Sequence, residues 1–241
     1  MEKVEFVSSD KKLKGLLFYP EILKDKSSAI LFVHGWTSTK ERNIQYAEAL
    51  AELGFVCLLF DMRGHGESEG DLNSLTIQDF LGDDITAYDF LAKQKVVDTD
   101  NISVVGSSFG GYLVALLTTK RKIKNLVLRA PADYPDNMYG VLKSQLGGDD
   151  NKLMKWRKQI KNFDETFALK AVSNFDGSVL IIESELDDRV PKETVKNYID
   201  AVKDKNKLTH KIMKGALHSI KEGPFRNQLT EILTDWFRTK P

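Results

Sequence analysis

Apolar residues along this chain fall alternately into short continuous runs and into helical spacings. Residues 4–7, Val4-Glu5-Phe6-Val7, alternate as a half-buried strand does, and 13–19 reads as a second strand stopping at Pro20. Ser9-Asp10 between them marks a turn, so the chain is expected to open on an antiparallel hairpin or meander. The runs at 29–33, 55–60, 102–105, 125–129 and 178–182 are mostly apolar, as strands buried on both faces are. Residues 207–213 form a last strand. Helical spacing appears at 44–53, closed by Gly54, at 76–93, at 191–202, opened by Pro191, and at 225–237. Strands alternating with helices predict an α/β fold, a mostly parallel central sheet with helices on both faces. Ligands of such sheets bind outside the carboxyl ends of the strands.

The alternation stops between 132 and 175. That stretch holds Tyr134, Tyr139 and Trp156, a loop signal at Gly147-Gly148-Asp149-Asp150, and a strongly basic helical segment at 151–161. It is expected to be a small cap inserted in a single domain spanning 1–241, and 241 residues suffice for one large core.

Charge adds mainly exclusions. Thirty-five basic residues balance 35 acidic ones, which argues against a general attraction to nucleic acid or an anionic membrane. Weak colloidal repulsion leaves a homodimer open. The single cysteine, Cys57, sits in an apolar run, where it reads as a small buried hydrophobe. The first residues, MEKVEFVSSDKKLKG, lack the apolar segment of a secretory signal, and no run is long enough to span a bilayer. A cytoplasmic protein is expected.

Candidate chemistry centres on residues 101–111, NISVVGSSFGG. An apolar strand runs into a G-x-S-x-G turn and straight on into an apolar helix. Such a turn is sharp enough to need glycine two residues either side of the serine, and it lifts Ser108 above the sheet as a candidate nucleophile. Ser107 is one residue short of the apex, so its side chain should point away. A serine nucleophile needs a base, and the base needs an acid to orient it. Of four histidines, His210 lies inside the last strand, and His34 and His65 lie in glycine-containing loops upstream of Ser108. His218 follows the last strand, where a loop can carry it over the sheet. Four carboxylates, Glu183, Glu185, Asp187 and Asp188, follow the preceding strand. Asp187 is preferred as the acid and Asp188 is the alternative.

The order Ser108, Asp187, His218 resembles that of the α/β-hydrolase fold. Four further stretches are similar to that family: His34-Gly35-Trp36 to its oxyanion loop, 61–68 (DMRGHGES) to D-x-R-G-x-G-x-S, 186–191 (LDDRVP) to its acid segment, and 215–218 (GALH) to G-A-x-H. The acid segment places its acid four residues before the proline, which selects Asp187. Ser184 departs from the glycine common in that segment. The resemblance implies a Ser108–His218–Asp187 triad acting through an acyl-enzyme. It also implies an oxyanion hole from the backbone N–H groups of Phe109 and Trp36. His34 and His65 should brace loops, and Asp61 and Arg63 should pin the loop beside the oxyanion site. No H-E-x-x-H, dinucleotide fingerprint or phosphate loop is present, so no metal and no cofactor are expected.

The short length and small cap resemble the cinnamoyl/feruloyl-esterase-like carboxylesterases, which implies a small-molecule ester of a small, medium or aromatic acyl group as substrate. Tyr134, Tyr139 and Trp156 either line its pocket or pack the cap onto the body. Asp133 and Asp136 either meet a polar substrate group or shape a turn. The basic helix is either a solvated face or an attraction for a phosphorylated carrier, as an acyl thioesterase would use. A small peptidase and a non-catalytic binding protein are the other readings.

Overall fold

The chain opens on an antiparallel hairpin, β1 (Glu2–Ser8) and β2 (Lys11–Phe18), turned at Ser9 and Asp10, both at positive φ. Six strands run parallel to one another after it: β3 (Ser27–Val33), β4 (Val56–Phe60), β5 (Val97–Ser107), β6 (Asn125–Arg129), β7 (Ser178–Ser184) and β8 (Leu208–Met213). β2 pairs antiparallel with β4, and the eight-stranded sheet has the order β1-β2-β4-β3-β5-β6-β7-β8. Among the described residues seven α-helices connect or follow the strands: α1 (Ile44–Glu52), α2 (Ile77–Ala92), α3 (Phe109–Leu117), α4 (Asp150–Arg157), α5 (Phe167–Ser173), α6 (Lys192–Ala201) and α7 (Gly223–Arg238). This computed structural model describes residues 1–23, 25–142, 145, 150–221 and 223–240.

Strand periodicity divides the core. Ile30, Phe32, Cys57 and Leu59 face α1 and α7, while Ala29, Leu31, Val33, Leu58 and Phe60 face α2, α3, α5 and α6. Each is at most 1% exposed. Burying one such large side chain stabilises by roughly 1.5–3 kcal/mol, so the uninterrupted apolar runs are a condition of the two-faced sheet. Burial also pushes the Cys57 thiol well above its ordinary pKa, consistent with a packing role. The predicted helix at 76–93 appears as α2. The Thr76 side chain accepts from the Asp79 N–H while the Asp79 carboxylate accepts from the Thr76 N–H, a capping box.

Two expectations shift at the margins. Pro191 is the N-cap of α6, with extended ψ of 148°, and not its first helical residue. Of the loop signal at 147–150, Gly147, Gly148 and Asp149 lie outside the described residues, and Asp150 is the first residue of α4. Within the stretch 132–175, Ala168, Leu169 and Val172 of α5 are buried in the same layer as α3 and α6. Among the described residues no helix is long and apolar enough to cross a membrane.

Candidate active site

β5 turns into α3 with no intervening loop. A β-carbon on Gly106 would overlap the Gly110 carbonyl and the Val114 side chain, and one on Gly110 would overlap the Val33 and His34 carbonyls. Only glycine lets β5, α3 and the end of β3 converge here. Between them Ser108 takes φ 56°, ψ −116°, a strained conformation for a residue with a side chain. Backbone hydrogen bonds hold it: its N–H donates to the Arg129 carbonyl at 2.9 Å, and its own carbonyl accepts from Tyr112 and Ala132.

The loops after β7 and β8 bring the other two residues to this point. His218 Nε2 lies 2.9 Å from Ser108 Oγ, and His218 Nδ1 lies 2.8 Å from Asp187 Oδ2. An ionised carboxylate only accepts, so Nδ1 carries the imidazole proton and Nε2 is left to accept from the serine hydroxyl. Asp187 Oδ1 accepts from the backbone N–H of Val190 at 2.7 Å and of Arg189 at 2.9 Å. Burial pushes the Asp187 carboxyl up, but the hydrogen bond from His218 and those two amides outweigh it and hold its pKa below the usual value. Asp188 is exposed, with Arg189 3.7 Å away at the surface. Ser107 makes no bond to His218 and lines a cavity beside the site.

The loop after β3 closes the other side. A β-carbon on Gly35 would stand 3.3 Å from Ser108 Cβ, so the Gly35-Trp36 turn presses on the serine. The Trp36 ring packs edge-on against Phe80 and Phe109 with centroids 5.7 Å away in each case. His34 and His65 brace this loop. His34 Nε2 accepts from the Met62 N–H at 3.2 Å, and His65 Nε2 accepts from the Thr37 N–H at 3.3 Å. Their Nδ1 atoms donate to the carbonyls of Gly35 and Arg63. Both rings are therefore neutral, and burial together with the neighbouring His65 depresses the His34 pKa to about 4.

Arg63 Nε donates to Asp83 at 2.6 Å, and Asp61 accepts from the Lys40 ammonium at 2.6 Å and from the Lys40 N–H at 2.7 Å. Lys40 is the centre of this arrangement and went unmarked in the sequence, where it sits in a polar segment. Its ammonium also meets Glu67 at 2.7 Å and Glu41 at 2.9 Å. Burial works against the Lys40 charge, but those carboxylates outweigh it and raise its pKa. Glu41, Asp61 and Glu67 have the spacing of a metal site, and the lysine already supplies their cation.

The aromatic residues at 132–175 pack. Tyr134 is buried edge-on to Phe109 and Tyr112, Tyr139 lies edge-on to Phe167, and Trp156 lies under the Lys161 ammonium. Asp133 bonds to the Tyr134 N–H and to Thr166, and Asp136 accepts from the Phe167 N–H. None of these residues lines the cavity beside Ser108. Two of the basic residues turn inward. Arg157 stacks on Tyr134 and donates to the Asp133 carbonyl, and Lys161 donates to the carbonyls of Trp156 and Gln159. Ser184, where the family pattern has glycine, accepts from Arg129 at 2.9 Å.

The profile of the prolyl oligopeptidase family matches residues 40–240. Est1E of Butyrivibrio proteoclasticus, solved with ferulic acid bound, superposes with a TM-score of 0.77 at 20% identity, covering 98% of each chain. An uncharacterised protein of Mycobacterium tuberculosis is 26% identical over 177 residues, which is 73% of this chain and 58% of that protein. The chain thus spans less than two thirds of that relative. The thiohydrolase aneE of Aspergillus aculeatus is 34% identical over 112 residues, 45% of this chain and 34% of that protein.

Proposed function

The chain belongs to the prolyl oligopeptidase family, within the α/β-hydrolase fold, and on that premise we propose that it is a serine hydrolase of small carboxylic esters. The observation that carries this reading is the hydrogen-bonded series Ser108–His218–Asp187, with contacts of 2.9 and 2.8 Å, at the rim of a cavity. Ser108 Oγ attacks the ester carbonyl while His218 Nε2 takes its proton, and Asp187 stabilises the imidazolium that forms. The backbone N–H groups of Phe109, at the start of α3, and of Trp36 receive the oxyanion. His218 then protonates the departing alcohol, and water releases the acyl group by the same route.

A second reading, cleavage of acyl thioesters, is favoured by the likeness to the thiohydrolase aneE. The same groups perform it, since only the leaving atom changes.

A fluorophosphonate probe tests the proposal. Labelling of the parent protein and its loss in Ser108→Ala, with circular dichroism unchanged, is expected. A folded parent protein that takes no label would overturn it. Rates on p-nitrophenyl esters and an acyl-CoA then separate ester from thioester cleavage.

A further inference from the structure

The cavity beside Ser108 holds a charge that hydrolysis of a neutral ester does not require. It measures about 210 Å³ and lies on the α1/α7 side of the sheet, with Ser108 and His218 at its rim. Val105, Val127 and Ile182 form its floor, and Leu229 and Leu233 of α7 a wall. Among these residues stands Arg129, only 7% exposed. Strand alternation puts it there: Arg129 is two residues beyond Val127 on the same face of β6, paired in register with Ser107.

One nitrogen of the guanidinium is engaged. Nη2 donates to Ser184 Oγ at 2.9 Å and to the Leu217 carbonyl at 3.2 Å. The buried Nε–H has no acceptor among the described residues. Among the described residues no acidic side chain lines the cavity. Asp187 acts on Arg129 through its charge, but its oxygens are already held by His218, Arg189 and Val190. Further positive charge gathers at the same place. Arg42, exposed and without an ion pair among the described residues, lines the cavity with Tyr46, and the Arg226 guanidinium lies 6.0 Å from the Tyr46 ring. Burial raises the Tyr46 phenol's pKa, and the charges of Arg226, Arg129 and Arg42 act against that rise.

A buried cation with unused donors is unfavourable until an anion meets it. A free guanidinium N–H donates strongly to a carboxylate oxygen. Bracing the loops of Asp187 and His218 accounts for Nη2 but leaves the remaining donors unused. We infer that the cavity is a subsite for a small carboxylate, so that the ester cleaved carries a second, ionised carboxyl group received by Arg129. This substrate class rests on the hydrolase reading above. The carboxylate belongs to either the acyl or the alcohol part, and the test distinguishes the two.

In the acyl arm, kcat/KM is measured for the p-nitrophenyl hemiester of glutarate against p-nitrophenyl valerate. In the alcohol arm, O-acetyl-4-hydroxybutyrate is compared with butyl acetate. One arm is expected to favour the carboxylate at least tenfold, with the ratio collapsing in Arg129→Met and partly restored in Arg129→Lys. Binding is read without turnover by calorimetry on Ser108→Ala, using monomethyl glutarate against methyl valerate and 4-hydroxybutyrate against butanol. Neutral compounds favoured in both arms, or a preference unchanged in Arg129→Met, would overturn the subsite while leaving the hydrolase standing. Selective carboxylate binding without hydrolysis of any ester would keep the subsite and remove the hydrolase. Should Arg129→Met fail to fold, the parent and Ser108→Ala measurements decide alone.

Discussion

Asp187 and Asp188 are chemically identical neighbours in opposite surroundings. Asp187 is nearly buried, with a His218 nitrogen 2.8 Å from one oxygen and two backbone amides on the other, while the Asp188 side chain is 61% exposed. Function of the proposed triad depends on this difference. Asp187→Asn keeps the shape of the side chain but presents an amide where the imidazole N–H needs an acceptor. Its kcat on p-nitrophenyl acetate should fall by about a thousandfold or more. Asp188→Asn should change it by less than about twofold, since an exposed carboxylate contributes little. A variant series in which Asp188 is the sensitive position would move the acid by one residue. The choice was open in the sequence, where both aspartates follow the same strand, and only the family pattern separated them.

At the scale of elements, the loops after β3 and β4 are one unit. β4 lies beside β3 in the sheet, so the chain leaving each strand emerges at the same edge. Lys40 from the first loop then meets Asp61 and Glu67 from the second, and His34 and His65 exchange bonds with the opposite loop. This unit supports the turn that presses on Ser108. Lys40 and Asp61 are at most 2% exposed, so removing the cation strands a buried carboxylate. Lys40→Met should destabilise by about 3–5 kcal/mol in urea unfolding. Glu67, with its side chain 62% exposed, should cost less than about 1 kcal/mol when changed to glutamine. Equal losses in the two variants would mean that burial does not govern the pair.

The whole molecule carries an acid sensitivity through His34. Its imidazole is neutral when folded, with a pKa of about 4, against an ordinary value of 6.5. Above pH ~6.5 neither state protonates it, and the group has no effect on stability. As pH falls from about 6.5 towards 4, the unfolded chain takes a proton that the fold refuses, and stability drops by about 3 kcal/mol. Below about 4 the loss is complete and constant. Urea unfolding of the parent between pH 8 and 4 should show this decline, and His34→Gln should flatten it. Parallel profiles for the two proteins would assign the sensitivity elsewhere.

The sequence by itself determined the order of strands and helices, the glycine-bounded turn at Ser108 and the succession Ser108, Asp187, His218. These are legible because period and turn sterics act between residues close along the chain. Tertiary structure decided what lies between distant segments. It buried Lys40 against Asp61, which the polar stretch after β3 did not announce, and packed Tyr134 and Trp156 away from the cavity. It also aimed Arg129 into that cavity. The one sequence signal for Arg129 was a charge closing an apolar strand at the sheet edge where ligands bind. Its partners, Ser184 and Leu217, lie 55 and 88 residues away and become neighbours only because β6, β7 and β8 stand side by side.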